Sequence, residues 1–344
     1  MSFKRLEADD FVISADSISS TLWSTNAQQL STFATSSVQA NGSSGNYYLN
    51  VFAASSNTAS AEFAIAYGNS VGSGSQLFNT AVDGKSPSST IYGQYQNLVI
   101  GDENTNFIFG TITSSEFFAL SMDRARYKES LLLGSLTLEI KGPIAASGSI
   151  VLTDNSAYAS STVFNEAGRV YQLISGSAGT KNTSLNDDGY TNGSGSYGWL
   201  LPDVGTIILN PHALAASSAN GGVGFVYSGS APATSTINET PMSSLFKAIS
   251  GSADFRLNSS ETITSDYIFV RPRSSEFNYS ENPSFISGST GEVIYPEFIN
   301  SPQTYITTVG LYNDNNELLA VAKLSRPLVK DFTKEALVRV KLDF

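Results

Sequence analysis

The stretch that most constrains the fold is residues 303–344, where apolar and polar side chains alternate with a period of two. Tyr305, Thr307, Val309 and Leu311 alternate with Ile306, Thr308, Gly310 and Tyr312. Successive side chains of a strand point to opposite faces, so β-branched and aromatic residues in this rhythm predict a strand. Asn313-Asp314-Asn315-Asn316 follows. Asn and Asp tolerate left-handed geometry and hydrogen-bond their own backbone, which predicts a turn. Glu317 to Leu324 is the expected return strand, giving a hairpin with a polar tip. Pro327 cannot donate a ladder hydrogen bond, so the chain is expected to leave the sheet there. It returns at Ala336, with Val338, Val340, Leu342 and Phe344 on one face and Arg339, Lys341 and Asp343 on the other. A free terminus frays, so an aromatic last residue in an alternating strand is expected to be sealed into a sheet or an interface.

A chain of 344 residues can bury a sizeable core, as one large β domain or two to three small ones. Only 14% of its residues are charged, against about 25% in an ordinary domain. Its surface must therefore be Ser, Thr, Asn and Gly, or be covered by partners. The net charge of −11 argues against nucleic acid, because phosphate binding needs a cationic stripe. The locally basic C-terminal segment interleaves its Lys and Arg with Asp and Glu, as an exposed sheet face would. The absence of cysteine excludes disulfides and thiolate zinc sites. The opening Met1–Asp10 lacks the apolar stretch of a signal peptide, and no apolar run reaches the length of a membrane-spanning helix.

The expected fold is mainly β, with β-sandwich-like lobes, a few short helices and long loops. An N-terminal arm (1–40) precedes a β-rich domain (41–175). A Gly/Ser/Asn-rich loop or junction (176–198) leads to a second β-rich domain (199–344) with the closing hairpin and strand. Phe11, Ile13 and Ala15 alternate with Val12 and Ser14 as a strand that either pairs with a neighbour or forms a plain edge. Residues 26–38 carry Leu30, Phe33 and Ala34 at helical spacing, so a short helix or an irregular arm is expected. Residues 47–52 and 61–67 form an expected strand pair. Residues 76–97 carry few regular signals, and 98–100 with 107–109 form an expected hairpin around Gly101–Asn106. Residues 117–122 are an expected buried strand, and 126–133 a short helix or turn ended by Gly134. Leu136, Leu138 and Ile140 predict an amphipathic strand, and 150–152, 169–174, 206–209 and 267–271 continue the β pattern. Asn210-Pro211 predicts a capped helix start, and 242–249 a second helix.

No catalytic, cofactor-binding or metal-ligating residue is assigned from sequence. His212, the only histidine, follows Asn-Pro at a helix start, a structural position, and no nucleophile elbow accompanies it. Asp102-Glu103 and Asp187-Asp188 could in principle serve glycoside hydrolysis, but they sit in turn-like segments and are expected to be solvated. Asp314–Glu317 and Asn186–Asp188 match no calcium loop. The Gly-rich 68–75 and Gly84-Lys85-Ser86 each lack half of a phosphate loop. Arg124 and Arg126, with Lys128 and Glu129, form the densest charge cluster, and Arg favours interfaces through bidentate pairing. The expected interface set is Arg124, Arg126, Tyr312, Leu318, Val338, Val340, Leu342 and Phe344.

The closing segment TTVGLYNDNNELLAVAKLSRPLVKDFTKEALVRVKLDF, with IYGQYQNLVIGDENTNFIFG, DRARYKESLLLGSLTLEI, EAGRVYQLISGS and SSEFNYSENPSF, resembles virion structural proteins of contractile-tailed phages, especially those of marine cyanobacteria. The resemblance covers most of the chain from about residue 40 onward. It implies a component of the particle without saying which part; the expectation is a non-enzymatic structural protein of the tail or baseplate, located in the virion. Such a component would be homo-oligomeric, with other phage structural proteins as partners and neither nucleic acid nor membrane. Neck, tail-fibre connector, capsid decoration, or a receptor- or glycan-binding module on the virion surface are the alternative positions. The group brings no catalytic residues with it.

Overall fold

The computed structural model describes residues 3–35, 48–53, 60–74, 86–143, 147–227, 239–251, 254–280 and 282–343. It is mainly β, with 42% strand and 14% helix. In chain order the elements begin with β1 (Phe11–Thr21), β2 (Ala34–Thr35), β3 (Leu49–Phe52), β4 (Ala61–Asn69), α1 (Pro87–Tyr95), β5 (Phe107–Phe109), β6 (Ile112–Ser114) and β7 (Glu116–Met122). There follow β8 (Ser130–Leu131), β9 (Thr137–Lys141), β10 (Ser149–Asp154), β11 (Val163–Asn165), β12 (Gly168–Ser177), β13 (Thr180–Lys181), β14 (Gly198–Leu201) and β15 (Thr206–Leu209). The remainder is α2 (Pro211–Ala215), α3 (Glu239–Ser250), β16 (Phe255–Arg256), β17 (Asn258–Val270), α4 (Pro296–Asn300), β18 (Thr304–Tyr312), β19 (Leu318–Lys330) and β20 (Val338–Asp343).

The chain forms two compact units, Ile18–Glu261 and a second made of Met1–Ser17 with Thr262–Phe344. The divisions fall inside β1 and β17, not at the Gly/Ser/Asn-rich stretch 176–198 or at the end of a 1–40 arm. Residues 176–198 belong to the larger unit because their backbone is held by neighbouring strands. Ser175 N–H donates to Gly189 O at 2.8 Å, and the Asn210 side chain donates to the carbonyls of Ser194 and Ser196, both at 2.9 Å.

The larger unit is built on a curled, antiparallel, twelve-stranded sheet. Its order is β16-β9-β10-β12-β14-β15-β7-β4-β3-β2, with β11 and β13 on β12. The central strands are apolar on both faces. Phe118, Leu120, Leu200, Ile207 and Leu209 pack into one core, while Phe117, Ala119, Trp199, Leu201 and Ile208 pack into another. Burial on both sides explains why EFFALSM, GWLL and TIIL read as continuous apolar runs and not as alternation. On one face, Leu214 of α2 and Met242, Leu245 and Ile249 of α3 join the core. On the other, Tyr92 of α1 and Phe107 and Phe109 of β5 do so. Each such side chain contributes about 1.5–3 kcal/mol on full burial.

Several expected elements form as read: β3 with β4, β7, β9, β10, β12, β15, the Asn210-capped α2 and α3. Others differ for identifiable reasons. Residues 96–100 are not a strand but a π-helical turn continuing α1, ended by Gly101 at φ 75°. Helical geometry there buries Val99 and leaves Leu98 exposed. Strand β5 pairs instead with β6, Phe109 opposite Ile112. Gly110, at φ 66°, permits the tight two-residue turn between them. Residues 126–133, read as a short helix or turn, take the turn, followed by β8. Residues 26–35 take the irregular form of the two expected, with β2 at their end. Leu30 is tied by its N–H to Phe255 O at 3.0 Å. Residues 36–38 lie outside the described residues.

In the smaller unit β17 pairs antiparallel with β20, from Ser265 opposite Asp343 to Val270 opposite Val338. Ile268, Val338 and Val340 are its buried core, with Val309, Leu311, Ala322, Leu324 and Leu328 packed against it. The hairpin β18–β19 has the expected Asn-rich tip. Asn313 Oδ1 accepts from the N–H groups of Asn315 and Glu317, at 3.0 and 2.8 Å, and Asn316 is left-handed at φ 62°. The chain does not leave the sheet at Pro327, since β19 runs on to Lys330. The ladder steps from Thr308 opposite Lys323 to Ile306 opposite Leu328. Residues 324–327 therefore bulge out against the single Thr307, and Pro327 sits where no ladder N–H is required.

Candidate functional site

The densest polar constellation lies in the larger unit, around Glu116, the first residue of β7. Asn69 stands directly opposite it on β4. The Asn69 Nδ2 donates to Glu116 Oε2 at 3.2 Å, and the Tyr67 hydroxyl donates to the same oxygen at 2.5 Å. The Tyr227 hydroxyl donates to Oε1. His212 Nε2 lies 3.2 Å from Oε1, placed there by α2, whose Asn210 cap accepts the His212 N–H. Burial, and then the Glu116 charge, push the Tyr67 and Tyr227 hydroxyls well above the usual phenol range. Both phenols therefore stay protonated and donate.

A carboxyl offers about four lone-pair sites; here three accept from Tyr67, Asn69 and Tyr227, and the His212 ring stands beside Oε1. The side chain of Glu116 is only 11% exposed. The carboxyl thereby joins β4, β7, α2 and residue 227 at one point. His212, expected to be structural from its place after Asn-Pro, thus joins a network that tethers residue 227 and α2 to the sheet. Nothing local in the sequence marks Glu116, because its partners come from positions 67, 69, 212 and 227.

The acidic pairs stay in turns. Asp102 accepts from Asn104 N–H and the Thr105 hydroxyl, at 3.0 and 2.5 Å, which holds its carboxyl below the usual range. Asp187 and Asp188 are exposed. An open groove of about 790 Å³ runs beside Ser149, Gly176, Thr180, Lys181 and Ser218. Among the described residues no Asp or Glu lines it, and the one aromatic, Tyr197, is fully buried with its hydroxyl donated to Gly221 O. Among the described residues no group of three or more His, Asp or Glu could hold a metal ion.

The sequence-derived interface residues separate. Arg124 and Arg126 lie in the larger unit. Arg124 is engaged locally, donating to Tyr127 O at 2.6 Å with its guanidinium 4.7 Å from the Tyr127 ring centroid. Arg126 Nε is buried without a hydrogen-bond partner. In the smaller unit Val338 and Val340 are buried and Leu342 packs beside them, so these three face their own core. Tyr312 and Leu318 are exposed, at 41% and 53%, and Tyr312 meets Phe3 edge-on at 5.3 Å. Phe344 lies outside the described residues.

What sequence reasoning missed is how bare the rest of this unit is. The outer face of β19 exposes Leu319 at 68% and Val321 at 58%. Strand β1 is exposed on both faces, with Phe11, Val12 and Ile13 at 47%, 49% and 73%. Consecutive apolar residues at 11–13 are the one signal that could have marked it. No helix of the described residues is long and apolar enough to cross a membrane. No protein-family model, curated protein or solved structure matches this chain.

Proposed function

We propose that the chain is a non-enzymatic structural component of a contractile-tailed phage particle, seated in the tail or baseplate and working through extended interfaces with copies of itself and other particle proteins. The observation that carries the interface reading is the imbalance of the smaller unit. Its described residues bury only Ile268, Ala336, Val338 and Val340 among the hydrophobics, while Ile13, Ile299, Leu319, Val321 and Phe332 stand in solvent. Apolar surface on this scale marks a contact region. The mechanism is geometric: strands and apolar faces dock, and a weakly charged surface lowers the desolvation cost of burial. The phage assignment rests on the five stretches quoted above.

The test is to label purified virions with an antibody to this chain and locate it by electron microscopy. Label at the tail tip is the expected result. Label on head or neck would retain the structural class and move the placement. No label on intact or opened particles would overturn the proposal.

A further inference from the structure

We infer that a second copy of this chain covers strand β1, its β20 edge pairing with the β1 edge of the first, so that the β1-β17-β20 sheet continues from copy to copy. This deepens the interface reading above and rests on it.

The sheet order is β1-β17-β20, so β1 and β20 are its two outer strands, with no further strand beyond either among the described ones. An open edge is a template for another strand, and proteins ordinarily blunt it with Lys, Pro or a cover. Residues 7–21 contain neither Lys nor Pro. Instead β1 exposes Phe11, Val12 and Ile13 on both faces, which one strand in a sheet can bury only if another layer or copy meets it.

Charge selects the partner edge. Residues 7–21 carry Glu7, Asp9, Asp10 and Asp16 and no cation. Strand β20 turns Arg339, Lys341 and Asp343 outward, a net positive face on which Lys341 pairs with Asp343 at 2.8 Å and Arg339 and Lys341 lie over the Tyr267 ring at 5.5 and 5.9 Å. Pairing β1 with β1 sets only acids together, whereas β1 against β20 sets the acidic edge against one of net positive charge. Because the two edges differ, the contact is head to tail and builds a ring or an open chain of copies.

The chain lacks cysteine, so introduced thiols report without background. Within one copy β1 and β20 are separated by β17, about 10 Å at two strand spacings, and a disulfide cannot bridge Cα atoms more than about 7 Å apart. A panel combining Ile13→Cys or Ala15→Cys with Arg339→Cys or Lys341→Cys therefore cross-links only between copies. The expected result is a ladder of covalent multimers from at least one double variant of the full chain under oxidation, and none from the single variants. Cross-linking of a β1 single variant would replace this pairing by β1 with β1 and overturn the proposal. A multimeric native mass with no cross-linked double variant would overturn it while leaving the interface reading standing. A monomer that binds another particle protein would assign β1 to that protein and also overturn it. A monomer that binds no particle protein would remove both readings. Independently of thiols, Asp16→Lys should weaken self-association about three- to fivefold at low salt, and D16K combined with Lys341→Asp should restore it. An unchanged association in D16K would contradict the charge pairing.

Discussion

The Tyr67 hydroxyl sits 2.5 Å from Glu116 Oε2, inside a carboxylate cage that also holds Asn69, Tyr227 and His212. Substituting Glu116→Gln places an amide donor against phenols that are already donors. Leaving buried polar groups mismatched costs about 2–4 kcal/mol, while Tyr67→Phe, which removes one donor from a still-served carboxylate, costs about 1–2 kcal/mol. Urea denaturation of the two variants should rank them in that order. Equal losses would mean that the cage does not hold Glu116 as a unit.

The same burial sets an alkaline limit. Tyr197 is pushed up from 10.0 to about 12 by burial, and Tyr67 and Tyr227 are raised further. A raised phenol contributes stability that is full below the unfolded value of 10 and is lost as pH climbs toward the folded value. The melting temperature should therefore hold up to about pH 10 and fall steeply between pH 10 and 12. Tyr197→Phe should flatten that fall. Absorbance titration at about 295 nm would show whether the buried phenols ionise only on unfolding.

Gly198 and Gly93 make opposite predictions. Gly198 has φ 143°, and a Cβ there would lie 1.8 Å from Ile208 O on the paired strand β15. Gly198→Ala should cost at least about 3 kcal/mol and abolish cooperative melting of the larger unit. A Cβ at Gly93 in α1 meets nothing within 4 Å, so Gly93→Ala should stabilise by about 0.5–1 kcal/mol. Circular-dichroism melts of the pair check both signs.

Lys330 is fully buried and donates to Asn278 Oδ1 at 2.8 Å and to the carbonyls of Ser274 and Asp331 at 3.0 Å. All three acceptors are neutral oxygens, so the ammonium serves as a hydrogen-bond hub for the loop after β17. Lys330→Met keeps the stem and strands the acceptors, which should cost about 2–4 kcal/mol. A neutral result in chemical denaturation would show that desolvating the charge cancels what its bonds contribute.

How much was legible follows from how local each signal is. The alternation in 338–343 correctly placed Val338 and Val340 inward and Arg339 and Lys341 outward, but it could not say whether the inner face meets this chain or another. Asn210-Pro211 and the Asn-rich tip were readable because cap and turn chemistry acts over two to four residues. The hairpin expected between 98–100 and 107–109 failed because Gly110 offered a shorter closure to Ile112 than the six-residue loop did.

What the sequence alone determined, then, is the strand-rich class, the caps, the turns and the inward or outward sense of side chains, since these depend on neighbours a few positions away. Which strands pair, where Pro327 is accommodated, and that residues 67, 69, 116, 212 and 227 converge on one carboxylate were decided only by the tertiary structure. Those outcomes depend on competition among long-range closures, whose winners are set by total burial and hydrogen-bond satisfaction and not by any local pattern.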